Sequence, residues 1–245
     1  MNILIPMAGK GTRFQVAGYT GPKPLIDVLG KPMIQRVVEN IGIDGVYIFV
    51  VRRQHLKEYP KLEGFLKSLA RYVEVIEDTH EFQGQAAACL SAREFINNSE
   101  PLLVANSDQL MEWDPEHFLD YTAYRGGDGA ILTFNSQDEK NSYVRLNESG
   151  FVVQTAEKKV ISKLACCGIF YWARGRDFIT AVEDMVLKDI KTNGEFYVAP
   201  AYNENIAAGL KITTYPIKKH FPIGTPEDLE KWISIVSTRK LTAGS

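Results

Sequence analysis

Lys10, Arg13 and Lys23 crowd into the stretch after the first apolar run of the chain, alongside glycines at 9 and 11 and prolines at 22 and 24. That set of residue types suits an anion rich in oxygens. Glycine lets the backbone pass close to a phosphate and point amide hydrogens at it, having no side chain to obstruct and tolerating positive φ. Lysine and arginine bring charge, and the two prolines fix φ around Lys23 and stiffen its presentation. The stretch "ILIPMAGKGTRF" at 3–14 suits a tight turn as well as a phosphate loop, and the two uses are compatible. Two better-defined phosphate loops are excluded. The dinucleotide fingerprint needs a glycine three residues after Gly11, where Phe14 stands, and a helix at once, where Gln15–Pro24 reads as a glycine- and proline-rich loop. The Walker loop needs a closing Gly-Lys-Ser/Thr, which is missing here.

A second half completes the pattern. In "GPKPLIDVLGKPMI" at 21–34, Pro-Lys-Pro-Leu and Gly-Lys-Pro-Met follow Gly-x-Gly-Thr-Arg in order, at residues 22–25, 30–33 and 9–13. In these motifs the chain resembles the sugar-phosphate nucleotidyltransferases, among them the glucose-1-phosphate thymidylyltransferases and small cytidylyltransferases. Further echoes, "QGQAAACLSA" at 83–92, "LLVANSDQL" at 102–110, "AEKK" at 156–159, "CGIFYW" at 167–172 and "IGTPEDLEKW" at 223–232, extend the resemblance over nearly the whole chain.

The resemblance implies an enzyme in which a phosphate oxygen of an acceptor attacks the α-phosphorus of a nucleoside triphosphate and expels pyrophosphate. Ala8, Gly9, Lys10, Gly11 and Thr12 would cradle the triphosphate, Arg13 would stabilise the departing pyrophosphate, and Lys23 would serve the α-phosphate side. Asp108 matches the family's metal aspartate, which implies Mg²⁺ as the cofactor. Gln83, Gly84 and Gln85 stand where the family reads the base, and glutamine pairs with almost any base edge, so the base stays open. Lys158 matches the lysine that holds the acceptor phosphate, with Glu157 beside it to accept from acceptor hydroxyls and Glu195 as a further acceptor contact. Taken alone, Asp108 also reads as a helix or turn cap, and Glu157–Lys158 as a solvated charge pair on a strand end.

The chemistry is consistent with these groups. A phosphate monoester has its second pKa near ~6, so it is largely a dianion at neutral pH and needs no general base. Positioning and charge neutralisation remain as the tasks. Accordingly no histidine is expected to be catalytic, and His55, His80 and His117, on polar stretches, are expected at the surface. One departure stands out: where many family members carry a second metal aspartate two residues before the glycine of Gly-Thr-Pro-Glu, this chain has Pro222. The expected acceptor is a sugar 1-phosphate or similar small phosphate, with surface polysaccharide biosynthesis as the setting. The alternative is a CTP-dependent enzyme acting on phosphocholine or a phosphorylated amino-acid derivative. A glycosyltransferase of similar fold and a non-catalytic nucleotide-binding module are the other classes.

Short β-rich apolar runs at Ile3–Met7, Val46–Val51, Val73–Ile76, Leu102–Ala105, Ala130–Phe134, Ala165–Trp172 and Ile212–Ile217 read as strands that position these groups. Helical patterns lie between them, such as Met33, Ile34, Val37, Val38 and Ile41 on one face after Pro32. This alternation predicts an α/β fold: a mainly parallel sheet flanked by helices, Rossmann-like, which the resemblance narrows to the GT-A-like nucleotidyltransferase fold with a small additional sheet lobe. Ligands in such sheets sit beyond the carboxyl ends of strands, so the loops after Ile3–Met7 and Leu102–Ala105 should form the site. Ser136–Gly150 reads as a hairpin or insertion leading into the smaller lobe. Thr225, Pro226, Glu227 and Asp228 signal the start of a closing helix.

With 245 residues, 45% of them hydrophobic and 24% charged, the chain suits one globular domain over 1–240 with a short tail, 241–245. A net charge of −2 argues against duplex nucleic acid as a partner. The expected partners are an NTP and a small phosphorylated acceptor, with a homo-oligomer left open. Cys89, Cys166 and Cys167 suit neither a disulfide framework nor a zinc site and read as reduced core thiols. No secretory pattern and no apolar run of membrane-spanning length is seen, so a cytoplasmic setting and no membrane partner are expected.

Overall fold

The structure, a computed structural model, describes residues 1–80 and 83–243, the last five of these by their backbone alone. Along the chain come β1 (Asn2–Pro6), α1 (Thr12–Val16), α2 (Met33–Ile41), β2 (Val46–Val51), α3 (Arg53–Glu58), α4 (Leu62–Lys67), β3 (Tyr72–Glu77), α5 (Gln85–Cys89), α6 (Arg93–Ile96), β4 (Leu102–Ala105) and β5 (Gln109–Glu112). There follow α7 (Pro115–Arg125), β6 (Gly129–Asn135), β7 (Ser142–Leu146), β8 (Val152–Glu157), β9 (Leu164–Trp172), α8 (Gly175–Leu187), α9 (Val198–Ala207), β10 (Ile212–Pro216), β11 (Lys219–Pro222) and α10 (Pro226–Ala243). Every strand read from the sequence is present, within a residue or so at each end.

The central sheet runs β10-β6-β9-β4-β1-β2-β3. Its β4-β1-β2-β3 half and its β10-β6 pair are parallel, and β9 lies antiparallel between them. The sheet is thus mostly parallel but mixed. Alternation along each strand feeds two cores: Ile3, Ile5, Phe49, Leu103 and Ile169 face α2, while Leu4, Ile48, Val104, Phe170 and Trp172 face α5, α8 and α9. Side chains of successive strand residues point to opposite faces, so burial on both faces leaves β9 apolar throughout and β1 apolar after Asn2.

Three expectations need correcting here. Ser136–Gly150 does lead into a hairpin, β7 with β8, but it joins the main sheet through β7–β9. The small second sheet lies elsewhere, formed by β5 and β11 in antiparallel pairing. Its strands are too short and polar for the alternation signal to find them. Second, a helix does begin at once after Gly11: α1 occupies Thr12–Val16, since residues 12–16 contain neither Gly nor Pro and the amides of Phe14 and Gln15 both bond the Gly11 carbonyl. Lys23–Leu25 adds a single 3-10 turn. Third, His55 is buried and His80 half-buried, and only His117 is exposed. The closing helix starts as read, with the Asp228 amide donating to Thr225 Oγ1 at 3.1 Å, and runs through Ala243. Of the expected tail, residues 244–245 lie outside the described residues. All three cysteines are buried free thiols.

Candidate active site

β1 and β4 are neighbours in the sheet, so the loops leaving their carboxyl ends converge. The consequence is a contact between residues far apart in sequence: Lys23 Nζ donates to Asp108 Oδ2 at 2.5 Å. The prolines of Pro22-Lys23-Pro24 are buried while the lysine between them is half-buried, as the stiffening argument requires. Gly11 packs behind, at φ +66°, where a Cβ would stand 3.1 Å from Lys23 Cβ. Gly224 closes over the pair from the other side, and a Cβ there would stand 2.7 Å from Asp108 Oδ2. Burial alone would raise the Asp108 carboxyl, but the Lys23 ammonium, with His220 and Arg13 further off, overrides it and holds the group below the usual carboxylate range. Asp108 is therefore an ionised carboxylate at neutral pH.

These residues line one end of a cleft of about 880 Å³. Arg13, Lys23, Gln85, Asn106 and Asp108 lie there, and Glu157, Lys158 and Tyr197 line it as well. Gln85 Nε2 donates to Asn106 Oδ1 at 2.7 Å, and the Asn106 amide donates to the Gly168 carbonyl at 2.9 Å, tying α5 to β9. Burial raises the Glu157 carboxyl against the opposing pull of the Ser142 hydroxyl, which donates to it, and of Lys158. Lys158 holds φ +52°, a left-handed conformation rare for a side-chain-bearing residue. Its ammonium donates to the Tyr197 hydroxyl at 2.5 Å and lies 4.5 Å from the centre of that ring.

The other expected residues stand at the rim. Ala8 is half-buried, Gly9, Lys10 and Thr12 are exposed, and Gly9 has open space where a Cβ would be. Gln83 and Gly84 bracket the crossing of Phe196: its amide donates to the Gln83 carbonyl, and a Cβ on Gly84 would stand 2.5 Å from its nitrogen. Glycine at 84 is thus also a packing requirement. Glu195 is exposed, its Cβ against Gly84 and its carboxylate near Tyr197, and it does not line the cleft. Tyr197, His220, Asn106 and Gln109 line the cleft without having been singled out. All four stood close to residues that were singled out, Tyr197 two after Glu195, His220 two before Pro222, and Asn106 and Gln109 on either side of Asp108, but their own types carry no local signal of a site.

Pro222 lines the cleft opposite Gln109 in the β5–β11 register, so no carboxylate occupies that place. No group of three or more His, Cys, Asp or Glu that could hold a metal occurs among the described residues. One ionised carboxylate facing the cleft still fits Mg²⁺, which keeps waters and takes one or two carboxylates with substrate phosphates completing the shell.

Known proteins give the comparison. The chain is 31% identical over 124 residues to the bifunctional protein GlmU of Methanocaldococcus jannaschii, covering 49% of this chain and 28% of that protein. It is 30% identical over 165 residues to the mannose-1-phosphate guanylyltransferase catalytic subunit beta of Dictyostelium discoideum, covering 64% of this chain and 45% of that protein. The chain thus spans less than half the length of these relatives. Its fold superposes on the nucleoside-diphosphate-sugar pyrophosphorylase of Vibrio cholerae with a TM-score of 0.80 at 25% identity, over 95% of this chain and 99% of that one. Residues 3–196, most of the chain and all of the loops that meet at Asp108 except the one bearing Gly224, match the family described as Nucleotidyl transferase, and the chain belongs to that family.

Proposed function

We propose that the protein transfers a nucleoside monophosphate from an NTP to the phosphate of a small acceptor, a sugar 1-phosphate or a close analogue, releasing pyrophosphate. The observation that carries this is the single cleft in which Arg13, Lys23 and Asp108 stand together and Lys158, Tyr197 and Glu157 form a second polar group. Two phosphates must meet in line for this reaction, and the cleft offers cations for each.

In this reading the loop at Ala8–Thr12 lies along the triphosphate, and Arg13 meets the charge that develops on departing pyrophosphate. Lys23 shares its charge between Asp108 and the α-phosphate. Asp108 would hold Mg²⁺, which when bound supplies charge neutralisation on the phosphate oxygens. Gln83 and Gly84 read the base from the rim, and Gln85 from within the cleft. Lys158, held by Tyr197, fixes the acceptor phosphate, and the Glu157 carboxylate accepts from acceptor hydroxyls. Glu195 acts at most through Tyr197. The acceptor phosphate is already a dianion, so no side chain needs to remove a proton.

The supply of NTP and the three free thiols support a cytoplasmic setting. Among the described residues no helix is long and apolar enough to cross a membrane. Surface polysaccharide assembly is the role proposed for the nucleotide-linked product, supported by the sugar phosphates named in the relatives. The test is a pyrophosphate-release screen of the purified protein with each of the common NTPs against glucose 1-phosphate, mannose 1-phosphate, O-phosphoserine and phosphocholine. Nucleotide binding without pyrophosphate release from any pair would overturn the proposal.

A further inference from the structure

Gln109 is 4% exposed and lines the cleft beside Asp108, yet its Nε2 has no hydrogen-bond partner among the described residues. Folded proteins retain few such groups, because a buried donor left unpaired keeps its full desolvation cost. The other end of the amide is fixed. Its Oε1 lies 3.4 Å from His220 Nε2, and the backbone of Gly168 passes so close that a Cβ there would stand 2.3 Å from the same oxygen. His220 is in turn held by Phe134, ring centres 4.5 Å apart and 35° between planes. Burial pushes the His220 ring down to about 4, against the opposing pull of Asp108 and Asp228, so the ring is neutral at pH 7, and the tautomer that carries its proton on Nε2 donates to the glutamine oxygen. With that oxygen engaged, the NH2 end remains for a ligand.

The supporting residues place this end. Phe134 belongs to β6; the loop after it supplies Ser136 and Asn141 to the cleft wall, and β7 opens there with Ser142, the partner of Glu157. The Gln85–Asn106 bond lies on the other flank of Gln109, and Asn106 and Gln109 both press on the Gly168 backbone. Gln109 thus stands between the two groups of the cleft, and the wall its His220 support rests on is the one that carries Ser142 and Glu157. An amide is neutral, so it selects by the presence and place of an oxygen and not by charge.

We propose that Gln109 is a specificity-determining residue of the acceptor site: its Nε2 donates to a hydroxyl or carbonyl oxygen on the organic part of the acceptor, favouring phosphates of molecules that carry such an oxygen over those that do not. The proposal rests on the reading of the cleft as a nucleotidyltransferase site. His220 is a positioning residue that acts through Gln109.

The four acceptors of the screen separate the cases. Glucose 1-phosphate, mannose 1-phosphate and O-phosphoserine carry hydroxyl or carbonyl oxygens beyond the phosphate, and phosphocholine carries none. The wild-type chain should prefer one of the first three. In Gln109→Met, which keeps the volume and loses the donor, KM for that acceptor should rise roughly 10- to 100-fold while KM for the NTP stays in place. His220→Phe, which keeps the ring against Phe134, should shift the same KM in the same direction by less. In the unaltered protein, the side-chain amide resonances of Gln109 should move on saturation with that acceptor. Preference for phosphocholine, an unchanged acceptor KM in folded Gln109→Met, or unmoved Gln109 resonances beside moving Lys158 resonances would each overturn this role and leave the reaction standing. No pyrophosphate from wild type with any acceptor would overturn the functional reading, and this proposal with it.

Discussion

Gly224 stands against Asp108 so closely that its missing side chain is part of the site: a Cβ would lie 2.7 Å from the Asp108 carboxylate and 3.5 Å from Lys23 Nζ. Real Cβ atoms do not approach a carboxylate oxygen that closely, and the backbone around Gly224 is fixed by the Ile223 amide donating to the Asp108 carbonyl at 2.9 Å. Gly224→Ala should therefore displace the carboxylate, breaking its contact with Lys23 while α10 still forms from its Thr225 cap. Turnover should fall at least about 10-fold, as one misplaced group costs in a positioned site. Pyrophosphate release measured beside far-UV circular dichroism checks both halves.

Asp108→Asn keeps the shape and removes the charge. Turnover should fall roughly 10²–10³-fold, the loss typical of one preorganised electrostatic group. Magnesium titrated into the free protein should bind weakly, and more tightly with NTP present, because one carboxylate leaves most of the shell to phosphates and water. The variant should also change acid stability. The folded carboxyl lies below its usual value, so the wild-type pair stabilises the fold above the unfolded value near ~3.9 and loses that contribution as pH falls through the folded value. Melting curves between neutral pH and pH about 3 should therefore slope less in Asp108→Asn than in wild type.

His220 gives the opposite end of the same acid limb. Its folded value near 4 lies below the unfolded value of 6.5, so between these the unfolded chain binds more protons. Stability is then present above pH about 6.5 and is lost as pH falls toward 4. His55, buried and also lowered by burial and by Arg52, contributes in the same direction. Single variants separate them: His220→Gln should flatten the wild-type decline in melting temperature over this window in part, and His55→Gln in part. An undiminished slope in His220→Gln would show that the ring is protonated in the fold.

The strands and the meeting of two loops were legible because they rest on short-range signals. Apolar runs such as Ile3–Met7 and Leu102–Ala105 gave β1 and β4, and the carboxyl-end rule then brought Lys23 and Asp108 to one place. Less legible were features made by contacts between distant segments. Nothing local to Tyr197 marks it as a partner of Lys158, 39 positions away, and nothing local to His220 marks it as a support for Gln109, 111 positions away. The burial of His55 was hidden in the same way, because α3 is short and polar in sequence yet packs its Leu56 onto the core. Gly84 and Gly168 were visible as motif glycines, but the reason for glycine, the backbone of Phe196 in one case and the side chains of Asn106 and Gln109 in the other, lies only in the fold.

Lys158 joins strain to function in a way that can be measured. At φ +52° a residue with a Cβ pays about 1–2 kcal/mol relative to glycine, and glycine gives back about 0.5–1 kcal/mol through its greater freedom in the unfolded chain. Lys158→Gly should thus be more stable than Lys158→Ala by about 0.5–1 kcal/mol. Both variants lose the ammonium held by Tyr197 and should raise the acceptor KM alike, with NTP binding nearly unchanged, since the two phosphates use different groups of the cleft. Tyr197→Phe should raise the same KM by less, because the ring that lies 4.5 Å from the ammonium remains when the hydroxyl is lost. Denaturant melts read the first comparison and steady-state kinetics the other two. Equal loss of NTP affinity in the Lys158 variants would move this lysine to the nucleotide and reverse the two ends of the site.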